Sequence, residues 1–153
     1  MSKHDEANLI LKLYELRREP VMRQARDWYF MSFNPQSLAD LQAVFFSEHS
    51  GHLRMVLSYW DMAAALVNSG AIDLDLFTET NGEHLAVFSK IEPLLEDARR
   101  MLNPRFLKNL EKLIDDTPDG RKLTAETRER MAAIRAEYAS KHKEHAEAVA
   151  ARN

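Results

Sequence analysis

The sequence predicts an all-α protein, a single-domain helical bundle of about five to six helices with a long C-terminal helix. Two features of composition support this prediction. Only four glycines and five prolines interrupt 153 residues, and the strand-favouring residues Val, Ile and Thr are sparse, whereas Ala and Leu are abundant. In addition, apolar side chains recur every three to four positions along most of the chain, which is the spacing of one helix face. We expect residues 1–153 to form one domain.

Charge and cysteine content exclude several classes of function. The net charge of -3 argues against a protein that neutralises many phosphates, so no nucleic-acid partner is expected. The absence of cysteine excludes disulfides, thiolate metal sites and a cysteine nucleophile. The first residues carry acids rather than the apolar core of a secretory signal, and the uncharged run over residues 62–72 is too short to cross a membrane. These features predict a soluble cytoplasmic protein with no membrane partner.

Proline, glycine and capping residues predict the helix boundaries in the first half. An apolar stripe over residues 5–33 is interrupted by Pro20, which predicts one kinked helix or two nearly collinear helices. Asn34-Pro35 combines a cap residue with a following proline, so a second helix is expected to start there. Ser50-Gly51 is expected to start a third helix, which should end near Gly70.

The same signals predict the elements of the second half. Asp73 is expected to cap a short turn, and the spacing of Thr80 and Glu83 is that of a capping box at the start of a fourth helix, which Pro93 should kink. Asn103-Pro104 is expected to start a short helix. After a turn over residues 117–120, a final helix is expected to run from about residue 124 to residue 150. Its apolar positions thin out, so residues 140–153 should project into solvent, fray or meet another chain.

Aromatic residues crowd the first half of the chain and are the main hint of a functional surface. Neighbours such as Tyr59 and Trp60 cannot both face one core from a single helix, so either a second layer of helices covers one of them or it forms an apolar patch for a partner or ligand. The residues that we consider as candidates for binding are Trp28, Tyr29, Phe46, Tyr59 and Trp60.

The histidines His49 and His52 are the candidates for a metal site. Residues three apart share a helix face and can ligate one ion, but such a pair also arises by chance among six histidines. We therefore expect these histidines to be exposed or to cap a helix, and we expect no bound metal or cofactor. Asp61, on the polar side of the third helix, is expected to be a solvated or salt-bridged carboxylate of little energetic weight.

Familiar catalytic motifs are missing from the sequence. No Gly-rich phosphate loop, Gly-x-Ser-x-Gly elbow, His-Glu-x-x-His motif or di-iron Glu-x-x-His motif occurs. We therefore expect a non-enzymatic helical interaction or regulatory module that associates with itself as a homodimer or higher homo-oligomer, or with a protein partner, through the aromatic first half or the last helix. The alternatives are a small-molecule-binding protein or an unrecognised enzyme with a pocket between kinked helices near Trp60 and Pro93, and a histidine metal site.

The passage from Tyr59 to Phe77 carries one resemblance. It reads Tyr59-Trp60-Asp61, then a Gly70-x-Ile72-Asp73 turn and Leu76-Phe77, and it is followed by Ile91-Glu92-Pro93. This passage resembles small helical bacterial families of unknown function, in which an aromatic helix ends in a Gly-Ile-Asp turn before another helix. The resemblance implies a helical fold and a bacterial cytoplasmic setting, and it implies no active site.

Overall fold

The computed structural model describes residues 2–152 and confirms the all-α prediction. Within these residues the chain forms nine α-helices and one 3-10 turn, and the last helix is the longest. The helices are α1 (Lys3–Arg17), α2 (Pro20–Met31), α3 (Leu38–Phe45), α4 (Ser50–Asn68), α5 (Leu74–Thr80), α6 (Glu83–Ile91), α7 (Leu95–Met101), α8 (Lys108–Asp116) and α9 (Gly120–Ala150). The 3-10 turn, Glu92–Leu94, joins α6 to α7.

Helix α4 lies at the centre of the bundle. It packs against α2 and α8 most extensively and also against α3 and α6. Eight of its side chains are buried, so it contributes to the core on several sides rather than along one stripe. These residues are Leu53, Val56, Leu57, Tyr59, Trp60, Ala63, Ala64 and Val67. Around this core, α9 packs mainly against α6.

The break at Pro20 separates α1 and α2 more sharply than the sequence suggested. Glu19 has an extended ψ of 138°, and Pro20 occupies the first position of α2. The Arg26 guanidinium donates a 3.3 Å hydrogen bond to the Arg17 carbonyl. In one straight helix these residues would lie about 13.5 Å apart along the axis. The chain therefore forms two separate helices with a break at Pro20 instead of one kinked helix, and the Arg26 contact shows that α2 is not a straight continuation of α1.

Three helices start later than expected: other residues cap two of them, and α6 starts after Gly82 without a side-chain cap. Helix α3 starts after Ser37, whose hydroxyl accepts the Asp40 N–H, rather than at Asn34-Pro35. Helix α8 starts at Lys108, four residues after the Asn103-Pro104 pair. The capping box was also wrong, because the Thr80 hydroxyl donates to the Leu76 carbonyl within α5.

Other boundaries agree with the sequence. Helix α4 starts at Ser50, and Gly70 follows its end with a φ of 84°, which glycine adopts without strain. Asp73 caps α5 through the N–H of Leu76. The predicted kink at Pro93 is the 3-10 turn between α6 and α7.

Helix α9 begins at Gly120, four residues earlier than expected. A Cβ at Gly120 would overlap the Ile114 carbonyl, so only glycine permits this approach of α9 to α8. The 31 residues of α9 extend about 46 Å, and every residue from 136 to 152 is exposed. The expectation that residues 140–153 project or fray covers Asn153, which lies outside the described residues.

Asp61 stabilises the start of α8. Its carboxylate accepts hydrogen bonds from the backbone N–H of Leu110, at 2.9 Å, and from the Asn109 side chain, at 3.1 Å. The residue that precedes α8, Leu107, is left-handed and offers no capping side chain. The expectation that Asp61 has little energetic weight was therefore wrong, because α4 supplies from a distance the cap that α8 lacks.

Replacing Asp61 by Ala should lower the free energy of unfolding by about 1–2 kcal/mol, the usual cost of removing a helix cap. Denaturant unfolding followed by circular dichroism measures this change. The matched control is Asp27→Ala on α2, whose exposed carboxylate makes no hydrogen bond within residues 2–152. Equal losses in the two variants would show that Asp61 does not cap α8.

His84 is a buried histidine in the core and lies between Trp60 and Phe77. Its ring centroid is 5.9 Å from that of Trp60 and 5.1 Å from that of Phe77. Within residues 2–152 neither imidazole nitrogen has a hydrogen-bond partner, and the Trp60 indole N–H also lacks one. Burial therefore penalises the imidazolium and lowers the pKa of His84 to about 4.

Acidification should destabilise the fold through His84. An unfolded histidine binds a proton near pH 6.5, whereas the folded one does so only near pH 4, so stability is complete above pH 6.5 and falls between these values. The full loss corresponds to about 3 kcal/mol. We expect His84→Leu to lose this contribution while the exposed His4→Gln retains it. The measurement is urea unfolding of all three proteins at pH 7 and pH 4.5; identical pH dependence in wild type and His84→Leu would contradict the argument.

Candidate functional site

Three of the five aromatic candidates are core residues. Tyr29 is buried, and its hydroxyl donates to the Val87 carbonyl at 2.6 Å. Tyr59 is also buried and donates to the Leu13 carbonyl at 2.5 Å, and burial raises its pKa to about 12. Trp60 is 1% exposed. Because other helices cover both Tyr59 and Trp60, the second layer of helices, and not an exposed patch, accounts for these neighbours.

The other two candidates reach the surface. Trp28 is half-buried and stacks on Phe33 and His49, with ring centroids 5.2 and 5.1 Å away. Phe46, at the end of α3, is 91% exposed. The five candidates do not therefore form one continuous surface.

The two histidines lie next to each other, and both pack against Trp28 instead of forming a ligand cluster. The ring centroids of His49 and His52 are 5.8 Å apart, and both rings contact Trp28. Among residues 2–152, no three His, Cys, Asp or Glu side chains come together in an arrangement that could hold a metal ion. The pair thus has no third protein ligand in this part of the chain.

Lys90 fixes the C-terminal end of α2. Its ammonium donates to the carbonyls of Tyr29, at 2.7 Å, and Phe33, at 2.6 Å, and lies 3.3 Å from that of Phe30. The Asn34 side-chain oxygen, at 3.2 Å, completes the set. A cation at this end of a helix is favourable because the last carbonyls lack partners within the helix. Burial nevertheless lowers the pKa of Lys90 to about 8, and the nearby charge of Arg135 adds to this effect.

A cavity of about 140 Å³ lies beside Lys90 and the 3-10 turn. Its walls come from the loop after α2, from the end of α6 and from α9. They include Asn34, Gln36, Ser89, Lys90, Pro93, Arg128, Met131 and Arg135. The sequence suggested a pocket near both Trp60 and Pro93. The cavity lies at Pro93, whereas Trp60 belongs to the core and does not line it.

Glu92 connects α9 to the 3-10 turn. One carboxylate oxygen accepts a 2.6 Å hydrogen bond from Arg128, and the other accepts a 2.8 Å bond from Arg121. Arg128 also donates to the Ser89 carbonyl at 2.9 Å. Arg121 binds Glu111 and Asp115 of α8 as well, and these contacts lower the pKa of Asp115. The first half of α9 is therefore held by charged groups.

An apolar groove of about 460 Å³ lies where α9 leaves the bundle. It is lined by Phe30, Met31, Met131, Ile134, Arg135, Tyr138 and Ala139. Met31 and Ile134 are each 59% exposed, and Tyr138 is 50% exposed. An exposed apolar concavity of this kind is a common feature of binding surfaces.

The groove continues into a stripe along the free half of α9. We call this set the α9 stripe; it consists of Met131, Ile134, Tyr138, His142, His145 and Val149. The intervals of three and four residues place these side chains on one helix face. The buried residues Gly120 and Thr124 lie on the same face, so the inner face of α9 runs on past the bundle without a partner among residues 2–152. The ring centroids of Tyr138 and His142 lie 4.1 Å apart, with the two rings tilted against each other.

Sequence reasoning identified the free end of α9 and a pocket near Pro93, but it missed the cations that line this pocket. Lys90 lies far in sequence from Arg128 and Arg135, and the three residues belong to no recognisable motif. Only the helix phase of Arg128 and Arg135, which share a face with Met131, could have indicated that they turn inward. The convergence of these cations depends on how α6 and α9 pack, which no local pattern encodes.

Among residues 2–152, no helix combines the length and the apolar character that a membrane span requires.

Comparison with known proteins gives one match. No curated protein and no solved structure shows significant similarity to the chain. Residues 4–117, about three quarters of the sequence, match a domain family described as a domain of unknown function, DUF4760. The matched region spans α1 to α8 and ends three residues before α9. The chain therefore belongs to the DUF4760 family.

Proposed function

We propose that the protein is a helical interaction module that forms a homodimer through the α9 stripe and the adjoining apolar groove. The observation that carries this proposal is the continuity of one helix face. The same face of α9 that packs on the bundle near Thr124 continues, exposed, through Tyr138 to Val149. A helix segment of this length without tertiary contacts is marginally stable in water, so it gains most from burial against a partner.

A second copy of the chain suits this surface because the surface supplies both a groove and a helix to fill it. In a two-fold contact the same patch occurs on both subunits. An antiparallel pairing centred at the level of Ser140 sets Met131 against Val149 of the partner subunit and Tyr138 against His142 of the partner subunit, since each pair is equally distant from the centre. Apolar side chains then contact apolar side chains, and aromatic rings contact aromatic rings.

Charge also permits this pairing. Residues 135–152 carry four basic side chains and three acidic ones, so two copies of the segment repel each other little. The basic residues are Arg135, Lys141, Lys143 and Arg152, and the acidic ones are Glu137, Glu144 and Glu147. Both signs are interspersed along the helix, which favours side-by-side contact with another copy over binding to a strongly charged partner.

The test is sedimentation equilibrium of wild-type protein and two glutamate variants. We expect the wild type to have the mass of two chains at micromolar concentration. Tyr138→Glu places a charge at the centre of the proposed contact and should weaken the dimer by about thirtyfold, equivalent to roughly 2 kcal/mol.

The matched control is Ser140→Glu, on the opposite face of the same exposed helix segment. It adds the same charge and should leave the dimer unchanged. A wild-type protein that stays monomeric up to high micromolar concentration, or equal weakening in both variants, would refute the proposal.

A further inference from the structure

Three cationic side chains line the cavity beside Pro93. Lys90 comes from α6, and Arg128 and Arg135 lie about two turns apart on the same face of α9. Asn34 and Gln36 add amide groups from the loop after α2. Positive charges gathered around a recess attract an anion more strongly than the same charges on a flat surface, because the surrounding protein excludes water.

The carboxylates of residues 2–152 do not balance the positive charge at this cavity. Glu92 is the carboxylate that pairs with a cation of the cavity wall, and it is shared between Arg128 and Arg121. Asp40 accepts the backbone N–H of Gln36 but does not line the cavity. Three cations against one shared carboxylate leave an excess of about two positive charges. Burial is the main cause of the lowered pKa of Lys90, and the nearby charge of Arg135 lowers it further.

The hydrogen-bond donors at the cavity differ in what they can offer a ligand. The Lys90 ammonium is already surrounded by four protein oxygens and supplies charge alone. Arg128 uses Nε and one terminal nitrogen for Ser89 and Glu92, which leaves its other terminal nitrogen. Arg135 makes no hydrogen bond or ion pair with any of residues 2–152, so its whole guanidinium is available. Guanidinium groups bind phosphate and carboxylate oxygens in pairs.

Size and charge together favour one class of ligand. The cavity volume of about 140 Å³ corresponds to several water molecules, each of which occupies about 30 Å³ in the liquid. That volume admits a tetrahedral oxyanion. A single carboxylate would neutralise only half of the excess charge, whereas a phosphate dianion would neutralise all of it.

We propose that the cavity formed by Lys90, Arg128 and Arg135 binds a phosphate dianion, either free or as the terminal group of a small phosphate monoester. Arg135 is the ligand-binding residue whose donors have no other use, and Arg128 contributes its remaining nitrogen. The cavity shares Met131 and Arg135 with the apolar groove of the proposed dimer contact, but neither proposal requires the other.

The experiment is thermal unfolding in increasing concentrations of inorganic phosphate, with sodium chloride at matched ionic strength as the reference. A ligand that binds the folded state alone raises Tm in a saturable way. We expect a saturable rise of a few degrees in phosphate over that in chloride. Glycerol 3-phosphate forms a second arm: a comparable rise indicates that the site takes the end of a monoester, and a rise in inorganic phosphate alone indicates the free ion.

Two variants of α9 identify the site. Arg135→Gln should abolish the rise, whereas Arg130→Gln, an exposed arginine of the same helix that does not line the cavity, should retain it. In chloride, Arg135→Gln should unfold at the same temperature as the wild type or higher, because it removes a repulsion from Lys90.

Three results would overturn the proposal. The first is that the wild type has the same Tm in phosphate and in chloride. The second is that phosphate raises the Tm of Arg135→Gln as much as that of the wild type. The third is that the Tm of Arg135→Gln in chloride falls markedly below that of the wild type. The last result would show that Arg135 has a structural role instead. Sedimentation of Arg135→Gln separates ligand binding from any change in self-association, because Arg135 also lines the apolar groove.

Discussion

The burial of α4 on several sides is the constraint on which the rest of the structure depends. A helix covered by α2, α3, α6 and α8 needs apolar residues around most of its circumference, and the run of small and large residues between Leu53 and Val67 provides them. The alanines at positions 63 and 64 are fully buried and let neighbouring helices approach closely. Tyr59 donates a hydrogen bond to α1, Asn68 donates one to α8 and Asp61 accepts one from α8, and these bonds orient the helices around this centre.

Much of the fold follows from local chemistry. The all-α class, the end of α4 at Gly70, the cap at Asp73 and the break at Pro93 depend on backbone preferences of residues close in sequence. The errors have a shared cause. At Asn34-Pro35 and Asn103-Pro104 the local signal for a helix start is present, but Ser37 and the distant Asp61 supply better caps. Tertiary contacts thus decide between sequence signals of similar strength.

For the sites, too, some features follow from the local sequence and others from contacts between residues that are distant in sequence. The exposed half of α9 was expected because its apolar residues thin out along one helix, and this pattern is readable from the sequence alone. That Tyr29, Tyr59 and Trp60 bind a partner or ligand stays a prediction. In the fold these three residues are buried and do not reach the surface. The cavity beside Pro93 was only half anticipated, because its cations come together through the packing of α6 against α9.

Gly120 has a further consequence for the far end of the molecule. Because a Cβ at this residue would overlap the Ile114 carbonyl, the contact sets the direction in which α9 departs from α8 together with the packing of α9 on α6. From Met131 the helix runs on for about 28 Å, so a tilt of roughly ten degrees would carry its tip about 5 Å sideways. The position of Val149 therefore depends on packing at a glycine 29 positions earlier in the chain. A change at this one small residue would therefore alter the direction of the helix without altering its exposed side chains.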